Sequence, residues 1–341
     1  MTEPQRPCLA VLLGDPAGVG PEMAVKLLAR EQNRAVANLL LIADPVMLAE
    51  GERIAGAKLA TIAVPDLSSV RFEPDRITLL EQDWLGGKTP PLGTCTEAAG
   101  RAAFESLNLA VEAVRRGVCQ GIVFAPLNKH SLRLGGLTEE DELRHMAKRF
   151  GVDGFVCEFN MTNNLWTSRV TSHVPIRDVA ALITKEGVVD AVKIVYGALR
   201  QAGIDKPRIA VSGLNPHAGD GGSIGREEIE VIEPAIRQAQ ALGLDARGPY
   251  SPDTVFIAAR RGDYDAVVSM YHDQGQIAMK LMGFDRGVTL HGGLPVPVVT
   301  SASGSAFDIA GKGIANIEGL QEAFNLALRM ATSGARKAVA A

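Results

Sequence analysis

The chain has 341 residues, with 35 basic and 39 acidic side chains, a formal net charge of −4 and a hydrophobic fraction of 46%. This length predicts about two domains, and the composition excludes general disorder. The mild acidity argues against a protein that binds a nucleic-acid backbone by counterion release.

Short apolar runs alternate with longer helical patterns along the chain. Strands separated by helices of this kind form βαβ units, so we predict an α/β fold with mainly parallel sheets. No repeat or linker divides the sequence, so two domains would share elements, and their boundaries stay open. In chain order we predict strands at 8–13, 38–43, 121–124, 208–212 and 266–271, and helices at 21–30, from 45, and at 94–116, 186–201, 227–242, 274–282 and 319–329. The alanine-rich end, 331–341, is either a frayed helix or a tail.

The cysteines and the N-terminal residues indicate the cellular compartment of the protein. Cys8, Cys95, Cys119 and Cys157 form no C-x-x-C pair, which indicates buried thiols in a reducing compartment. No apolar run approaches the 18 residues or more of a membrane span, and the first residues do not resemble a signal peptide. We therefore expect a cytoplasmic protein without membrane association.

A glycine-rich segment follows the first predicted strand. It reads GDPAGVGPE over 14–22 and opens a helix, where backbone N–H groups favour an anion. Its glycines do not match the dinucleotide fingerprint, and it lacks the Lys-Ser/Thr of a phosphate-binding loop. A kinase or transferase is therefore disfavoured, and a tight strand-to-helix turn explains the segment equally well.

Three of the six histidines are placed where strands meet loops, namely His173, His217 and His272. In parallel α/β folds these strand ends form the ligand crevice. Three neutral imidazoles there could hold Zn²⁺, Ni²⁺ or Co²⁺ as a Lewis acid. Isolated loop histidines are more often surface or capping groups, so the residues alone leave both readings open.

Several blocks together resemble the 4-hydroxythreonine-4-phosphate dehydrogenase family of pyridoxal phosphate biosynthesis. They are GDPAGVGPE at 14–22, APLNK at 125–129, TSHVPIRDV at 171–179, LNPHAG at 214–219, DTVF at 253–256 and YHDQG at 271–275. The resemblance implies two α/β/α domains with an isopropylmalate dehydrogenase-like fold and discontinuous domains. It also implies an active-site cleft between the domains and at a homodimer interface.

The same resemblance assigns roles to single residues. His173, His217 and His272 are implied to bind a divalent metal, which could be Zn, Ni, Co, Mg or Mn. Lys280 would hold a substrate anion or help in proton transfer, and Asp253 would be its orienting or basic partner. Lys129 is a weaker candidate, because a surface cation explains it as well.

A second resemblance concerns the cofactor. The segment GSAFDIAGKGIAN at 304–316 looks like the adenosine-binding loop of isocitrate and isopropylmalate dehydrogenases. Its small residues allow close approach of an adenine, and three polar side chains could bind it. We therefore predict an NAD or NADP site that includes Gly304, Ser305, Asp308 and Asn316.

The expected substrate clamp departs from the family pattern. Glu142 and Leu143 stand where the family has a His–Thr pair, and Thr289 and Val298 stand where it has an Asn and an Arg. These changes remove donors that a phosphate dianion needs. Other cationic or imidazole side chains could compensate, and the candidates for this are Arg144, His145 and His291.

These observations predict a metal- and NAD(P)-dependent dehydrogenase that oxidises an unphosphorylated hydroxy carboxylate with decarboxylation. An aromatic cis-dihydrodiol carboxylate, such as that of terephthalate, is the expected substrate. The alternative is a 4-hydroxythreonine-4-phosphate dehydrogenase or a related sugar-acid phosphate dehydrogenase. A protein that binds a metal or ligand without catalysis is a further reading.

Overall fold

Two units make up the part of the chain that the structure describes. The computed structural model describes residues 6–340, with the side chains of Phe284 and of 334–340 left aside. Unit 1 holds the chain up to Asp153 together with the chain from Leu294 onward, and unit 2 is Gly154–Gly293. Unit 1 is therefore assembled from two separate stretches of sequence, whereas unit 2 is continuous.

The sheet of unit 1 is parallel throughout. Its order is β3-β4-β2-β1-β5-β12. Because helices cover both faces of such a sheet, its strands consist of nearly continuous apolar residues, and every residue of the first strand is buried. The strands are β1 (Cys8–Leu12), β2 (Asn38–Ala43), β3 (Thr61–Val64), β4 (Ile77–Glu81), β5 (Gly121–Phe124) and β12 (Val298–Ser301).

Several helices of unit 1 begin at recognisable capping residues. Asp44 accepts a hydrogen bond from the Val46 N–H, and Thr96 accepts one from the Ala99 N–H, as Asp and Thr commonly do at helix N-termini. The helices are α1 (Gly20–Ala29), α2 (Glu31–Val36), α3 (Pro45–Ala55), α4 (Glu97–Arg115), α5 (Lys129–Leu134), α6 (Glu142–Phe150) and α12 (Glu318–Ala340).

The sheet of unit 2 combines a parallel and an antiparallel part. Its order is β11-β6-β7-β10-β8-β9, with antiparallel pairing of β6 to both β11 and β7 and parallel pairing elsewhere. The strands are β6 (Cys157–Thr162), β7 (Leu165–Arg169), β8 (Ile209–Ser212), β9 (Ala246–Tyr250), β10 (Ala266–Ser269) and β11 (Val288–Gly292). The helices are α7 (Val179–Leu182), α8 (Lys185–Gln201), α9 (Glu233–Ala241), α10 (Val255–Arg260) and α11 (His272–Gly283).

The predicted α/β class with mainly parallel sheets is confirmed, and the predicted strands and helices are present. The helix expected at 227–242 differs, because a π-helical turn over Glu228–Ile232 precedes α9. The sequence did not predict β3, β4, β6, β7, β9, β11 or β12.

The two chain ends are only partly described. The alanine-rich end is helical up to Ala340, whereas Ala341 and residues 1–5 lie outside the described residues. Within the described part of the chain, no helix combines the length and apolar character that a membrane span needs.

Candidate functional site

Three neighbouring parallel strands of unit 2 lead into the three predicted metal ligands. The strands β7, β10 and β8 lie side by side, and their carboxyl ends are followed by His173, His272 and His217. The ring centroids of His173 and His272 are 5.6 Å apart. The sheet topology therefore brings the three histidines to one edge of unit 2, as the sequence predicted for strand-end residues.

His272 is held in an orientation that suits a metal ligand. Its Nδ1 atom lies 2.7 Å from Oδ1 of Asp273. Because a carboxylate oxygen accepts but does not donate, Nδ1 carries the proton, and a neutral ring then offers its lone pair at Nε2. A carboxylate behind a ligating imidazole is the usual arrangement in metal sites.

His217 lies on an exposed loop beside Asp253. The pKa of Asp253 is lowered, mainly because the Ser251 hydroxyl donates to its carboxylate at 2.6 Å and less because of the nearby His217. Among the described residues, no group of three His, Cys or acidic ligand atoms within 4.8 Å of one another includes His217 or His272. A single metal centre formed by all three histidines therefore stays a prediction.

One face of α11 carries further candidate residues. His272, Gln276 and Lys280 are spaced four residues apart along the helix, a spacing that places side chains above one another on the same face. Lys280 is exposed, and the Gln276 amide donates to Oδ1 of Asn160. The helix thus aligns a predicted metal ligand with the predicted anion-binding lysine.

A buried polar network in unit 2 was not predicted from the sequence. The Arg169 guanidinium is 5% exposed and donates to Oε2 of Glu158 at 2.7 Å and to Oδ1 of Asn160 at 2.9 Å. It also donates to the hydroxyl of Ser172, the residue before His173, at 3.0 Å. Buried charges require such partners. The signal in the sequence was the polar composition of two segments that are in fact strands.

Thr289, one of the predicted substrate residues, joins this network. Its hydroxyl accepts a hydrogen bond from the Asn160 amide at 3.1 Å, and Asn160 in turn accepts from Arg169. The network therefore connects Thr289 to the segment that carries His173.

Three loops meet at the carboxyl ends of β1, β5 and β12 in unit 1. The Val19 N–H donates to the carbonyl of Ser305 at 3.0 Å, and the Asn128 amide contacts the Ser305 hydroxyl at 3.4 Å. A Cβ atom at Gly18 would lie 2.6 Å from the Ser305 carbonyl oxygen. The glycine at 18 is thus required by close packing between two loops, whatever ligand the loops bind.

Buried carboxylates stabilise this group of loops. Glu22 is 1% exposed and accepts hydrogen bonds from the N–H groups of Gly313 and Ala315 at 3.1 and 2.8 Å. Asp15, in the loop after β1, accepts a hydrogen bond from the Ala17 N–H at 2.8 Å, although burial raises the pKa of this carboxyl above its usual value. The predicted cofactor loop is therefore anchored to the first glycine-rich segment, a contact that sequence reasoning did not foresee.

The four predicted cofactor residues lie along this anchored loop. Gly304, Asp308 and Asn316 are exposed, whereas Ser305 is buried. Asn316 also accepts a hydrogen bond from the Glu318 N–H at the start of α12. Their roles in cofactor binding stay predictions.

The predicted substrate residues of unit 1 are packed into its interior. Leu143 and Val298 are both 0% exposed, and Glu142 is 8% exposed. Val298 belongs to the hydrophobic core around β1 and β5. Packing accounts for the apolar character of Leu143 and Val298, so their side chains are poor evidence about the charge of a substrate. Their part in substrate binding stays a prediction.

The side chains that could have compensated for a lost phosphate clamp are paired with other side chains or buried. Arg144 pairs with Asp141 at 2.8 Å and Glu140 at 3.0 Å. His145 contacts Glu139 at 3.1 Å and Asn108 at 2.8 Å. His291 is buried on β11. The weaker catalytic candidate, Lys129, is an exposed residue at the start of α5.

Comparison with known proteins gives a consistent picture. A family model described as "Pyridoxal phosphate biosynthetic protein PdxA" matches residues 35–327. A Pseudomonas aeruginosa protein named "Putative 4-hydroxythreonine-4-phosphate dehydrogenase 2" is 48% identical over 97% of this chain and 98% of its own length. A Bradyrhizobium diazoefficiens protein named "Putative D-threonate 4-phosphate dehydrogenase" is 39% identical over 95% of this chain and 96% of its own.

Solved structures agree with these relatives. A 4-hydroxythreonine-4-phosphate dehydrogenase from Burkholderia phymatum is 36% identical, covers 96% of this chain and 99% of its own, and has a TM-score of 0.80. A terephthalate 1,2-cis-dihydrodiol dehydrogenase from Burkholderia xenovorans is 28% identical, covers 97% and 99%, and has a TM-score of 0.66.

The fold and these relatives define the class of the chain, which is an α/β enzyme of the dehydrogenase type. Within that class, the chain belongs to the PdxA family of pyridoxal phosphate biosynthetic proteins. The predicted family resemblance is thereby confirmed.

The predicted unphosphorylated dihydrodiol substrate is wrong, and decarboxylation stays a prediction. The relatives named for phosphorylated substrates are 48% and 39% identical to the chain, against 28% for the terephthalate dihydrodiol dehydrogenase. The error came from inferring the charge of the substrate from Leu143 and Val298, whose apolar side chains are explained by their burial in unit 1.

Proposed function

We propose that the chain is a 4-hydroxythreonine-4-phosphate dehydrogenase that depends on NAD or NADP and on a divalent metal. The observation that carries the proposal is the 48% identity to the relative of that name, which extends over 97% of this chain. The arrangement of His173, His217 and His272 at one edge of the unit 2 sheet supports it.

Three imidazoles at the ends of adjacent strands form a donor set that fits a divalent ion with open coordination positions. When bound, such an ion supplies a Lewis acid that polarises the hydroxyl oxygen of the substrate. Asp273 orients His272 by accepting a hydrogen bond from its Nδ1–H. Asp253, whose pKa is lowered mainly by the hydrogen bond from the Ser251 hydroxyl, is assigned as an orienting or basic partner.

Lys280 is assigned to the anionic end of the substrate. Its ammonium is carried by the α11 face that also carries His272, about two helical turns further on. A charge-assisted hydrogen bond to a phosphate or carboxylate is stronger than a neutral one. The adenosine part of the cofactor is assigned to the loop over 304–316, with the four predicted residues as its contacts.

The activity is tested with metal-free protein reloaded separately with Zn²⁺, Ni²⁺, Co²⁺, Mg²⁺ or Mn²⁺. Reduction of NAD⁺ and NADP⁺ is followed with 4-hydroxythreonine 4-phosphate and with unphosphorylated 4-hydroxythreonine as the matched control. We expect kcat/KM of about 10⁴ M⁻¹ s⁻¹ or more for the phosphorylated compound. For unphosphorylated 4-hydroxythreonine, which cannot make the phosphate contacts, we expect kcat/KM to be about 100-fold lower.

The same assay includes D-threonate 4-phosphate, because a relative with that name is 39% identical to this chain. If kcat/KM is higher for D-threonate 4-phosphate than for 4-hydroxythreonine 4-phosphate, the substrate is D-threonate 4-phosphate, which carries a hydroxyl in place of the 2-amino group. Equal rates with and without the phosphate, or no cofactor reduction with any metal, would contradict the proposal.

A homodimer that shares the active site is part of the proposal. Two large apolar side chains one turn apart on α11, Ile277 and Leu281, are 61% and 84% exposed. Such exposed apolar surface marks interaction sites, and this helix also carries His272. Light scattering of the purified chain tests the dimer, and a monomer at micromolar concentration would contradict it.

A further inference from the structure

One buried carboxylate holds the loop that carries His217. Glu228 is 1% exposed, and its Oε1 accepts hydrogen bonds from the backbone N–H groups of Leu214 and Asn215, each at 2.8 Å. Its Oε2 accepts from the Asn215 side-chain amide at 3.0 Å. Both carboxylate oxygens are therefore committed to the residues just before His217.

The loop also packs directly against this carboxylate. A Cβ atom at Gly219 would lie 2.6 Å from Oε2 of Glu228, and one at Gly213 would lie 3.1 Å from Oε1. Glu228 itself begins the π-helical turn Glu228–Ile232, and such turns are frequent at functional sites. The carboxylate thus touches the loop on both sides of its hydrogen-bonded segment.

The backbone at His217 adopts a conformation that needs this support. His217, Ala218 and Asp220 have φ values of 56°, 53° and 44°, in the left-handed region that residues other than glycine rarely adopt. Conformations of this kind persist only where the surroundings fix them, and they cluster at functional sites. Glu228 contacts the loop just before this left-handed segment, at Leu214 and Asn215, and within it, at Gly219.

The base of the loop is tied to the strand end that leads into His272. The Gln274 amide donates to the carbonyl of Gly213 at 2.9 Å and its oxygen accepts from the Met270 N–H at 2.7 Å. A loop held by Glu228 at Leu214 and Asn215 and by Gln274 at Gly213 has a defined position relative to His272.

We infer that Glu228 is a positioning residue for metal binding. Its carboxylate fixes the backbone of the loop over 213–219 in the conformation that presents His217, and it acts without contacting the metal. This inference rests on the proposed function, which assigns His217 as a metal ligand.

The test compares Glu228→Gln with a matched variant of the same π-helical turn, Glu230→Gln. Glu230 is exposed and pairs with Arg226 at the surface. In the Glu228→Gln protein one carboxylate oxygen becomes an NH₂ donor and faces the Asn215 amide, which is also a donor. Substitution of residues that orient metal ligands typically weakens metal binding by about 10- to 100-fold.

Dissociation constants for Zn²⁺ and Co²⁺ are measured on metal-free protein by competition with a chromophoric chelator. We expect Glu228→Gln to weaken metal binding by about 10- to 100-fold, and Glu230→Gln to leave it within about twofold. NADH affinity, measured on the same samples, is expected to be unchanged, because the predicted cofactor loop belongs to unit 1. Equal metal affinity in folded Glu228→Gln and wild-type protein would overturn the inference.

His217→Ala separates this inference from the proposed function. Unchanged metal affinity in His217→Ala would refute the ligand set itself. Weakened binding in His217→Ala with normal binding in Glu228→Gln would overturn only the positioning role. If Glu228→Gln aggregates, Glu228→Asp, which keeps the charge on a shorter side chain, replaces it. A weakening of about fivefold or more is then expected, and an unchanged constant overturns the inference.

Discussion

At the residue scale, the contribution of Glu139 to folding stability depends on pH. Lys148 donates to its carboxylate at 2.6 Å and His145 contacts it at 3.1 Å. These two hydrogen bonds, that of Lys148 first, lower the pKa of Glu139 from 4.5 to about 2. Its contribution to stability is therefore complete above the unfolded-state pKa and is lost as the pH falls towards 2.

We expect Glu139→Gln to lower the melting temperature at pH 7 by an amount that corresponds to about 1 kcal/mol or less, since Lys148 is largely exposed. The difference from wild type should shrink as the pH falls from 5 to 3. Melting curves across this range check it, with Glu81→Gln, at the end of β4, as the control. A difference that grows on acidification would show that the carboxylate is not stabilised in the folded state.

At the element scale, two helix glycines should respond to alanine in opposite directions. A Cβ atom at Gly100 in α4 would overlap the carbonyl oxygen of Ser131 in α5, whereas one at Gly197 in α8 would meet no atom within 4 Å. Alanine is favoured over glycine in a helix interior by about 0.5–1 kcal/mol. Overpacking costs typically about 1–3 kcal/mol.

We therefore expect Gly197→Ala to raise the melting temperature and Gly100→Ala to lower it by several degrees. Thermal melts of both variants and of the wild-type protein test these opposite changes in melting temperature. A stabilising Gly100→Ala would mean that α4 and α5 do not approach each other as closely as the structure indicates.

The same scale shows where sequence reasoning succeeded and where it failed. The strands β1, β2, β5, β8 and β10 consist mainly of apolar residues and were predicted within a few residues. The strands β6 and β7 were not, because they carry Glu158, Asn160 and Arg169, which are partnered with one another across the sheet. A pattern of apolar residues cannot reveal a strand whose inward side chains are polar and mutually satisfied.

The residues of the candidate site were likewise predictable only in part. His217 and His272 follow predicted apolar strands, whereas the strand before His173 was not predicted, and the family motifs strengthened the assignment of all three. Glu228 was missed, because a glutamate in the first turn of a helix ordinarily indicates only favourable interaction with the helix dipole. Its contacts with Leu214 and Asn215 depend on the fold of the loop and cannot be read from spacing.

At the scale of the whole molecule, the two proposed binding functions belong to different units. The predicted cofactor loop lies in unit 1, and the three histidines lie in unit 2. We expect Ser305→Ala to weaken NADH binding by about 3- to 10-fold, the loss of one hydrogen bond, with unchanged metal affinity. His272→Ala should weaken metal binding and leave NADH affinity unchanged.

Fluorescence titration with NADH and chelator competition with Zn²⁺ measure the two affinities separately. The Thr332→Ala variant, on α12 of the same unit as Ser305, is the control for the cofactor titration. Loss of metal binding in Ser305→Ala, or of NADH binding in His272→Ala, would contradict this division.

The way unit 1 is assembled from two stretches has a consequence for synthesis on the ribosome. Strand β12, which pairs with β5, and helix α12, which buries Leu320 and Phe324, are translated only after all of unit 2. Until then β5 has an unpaired edge, and exposed edges of apolar strands invite aggregation. Domains generally fold in order from the N-terminus during synthesis. Unit 2, which is continuous, can nevertheless fold before unit 1 is complete. The sheet of unit 1 therefore stays incomplete while unit 2 is being synthesised. We expect a chaperone that binds exposed apolar strands to be needed most at this stage.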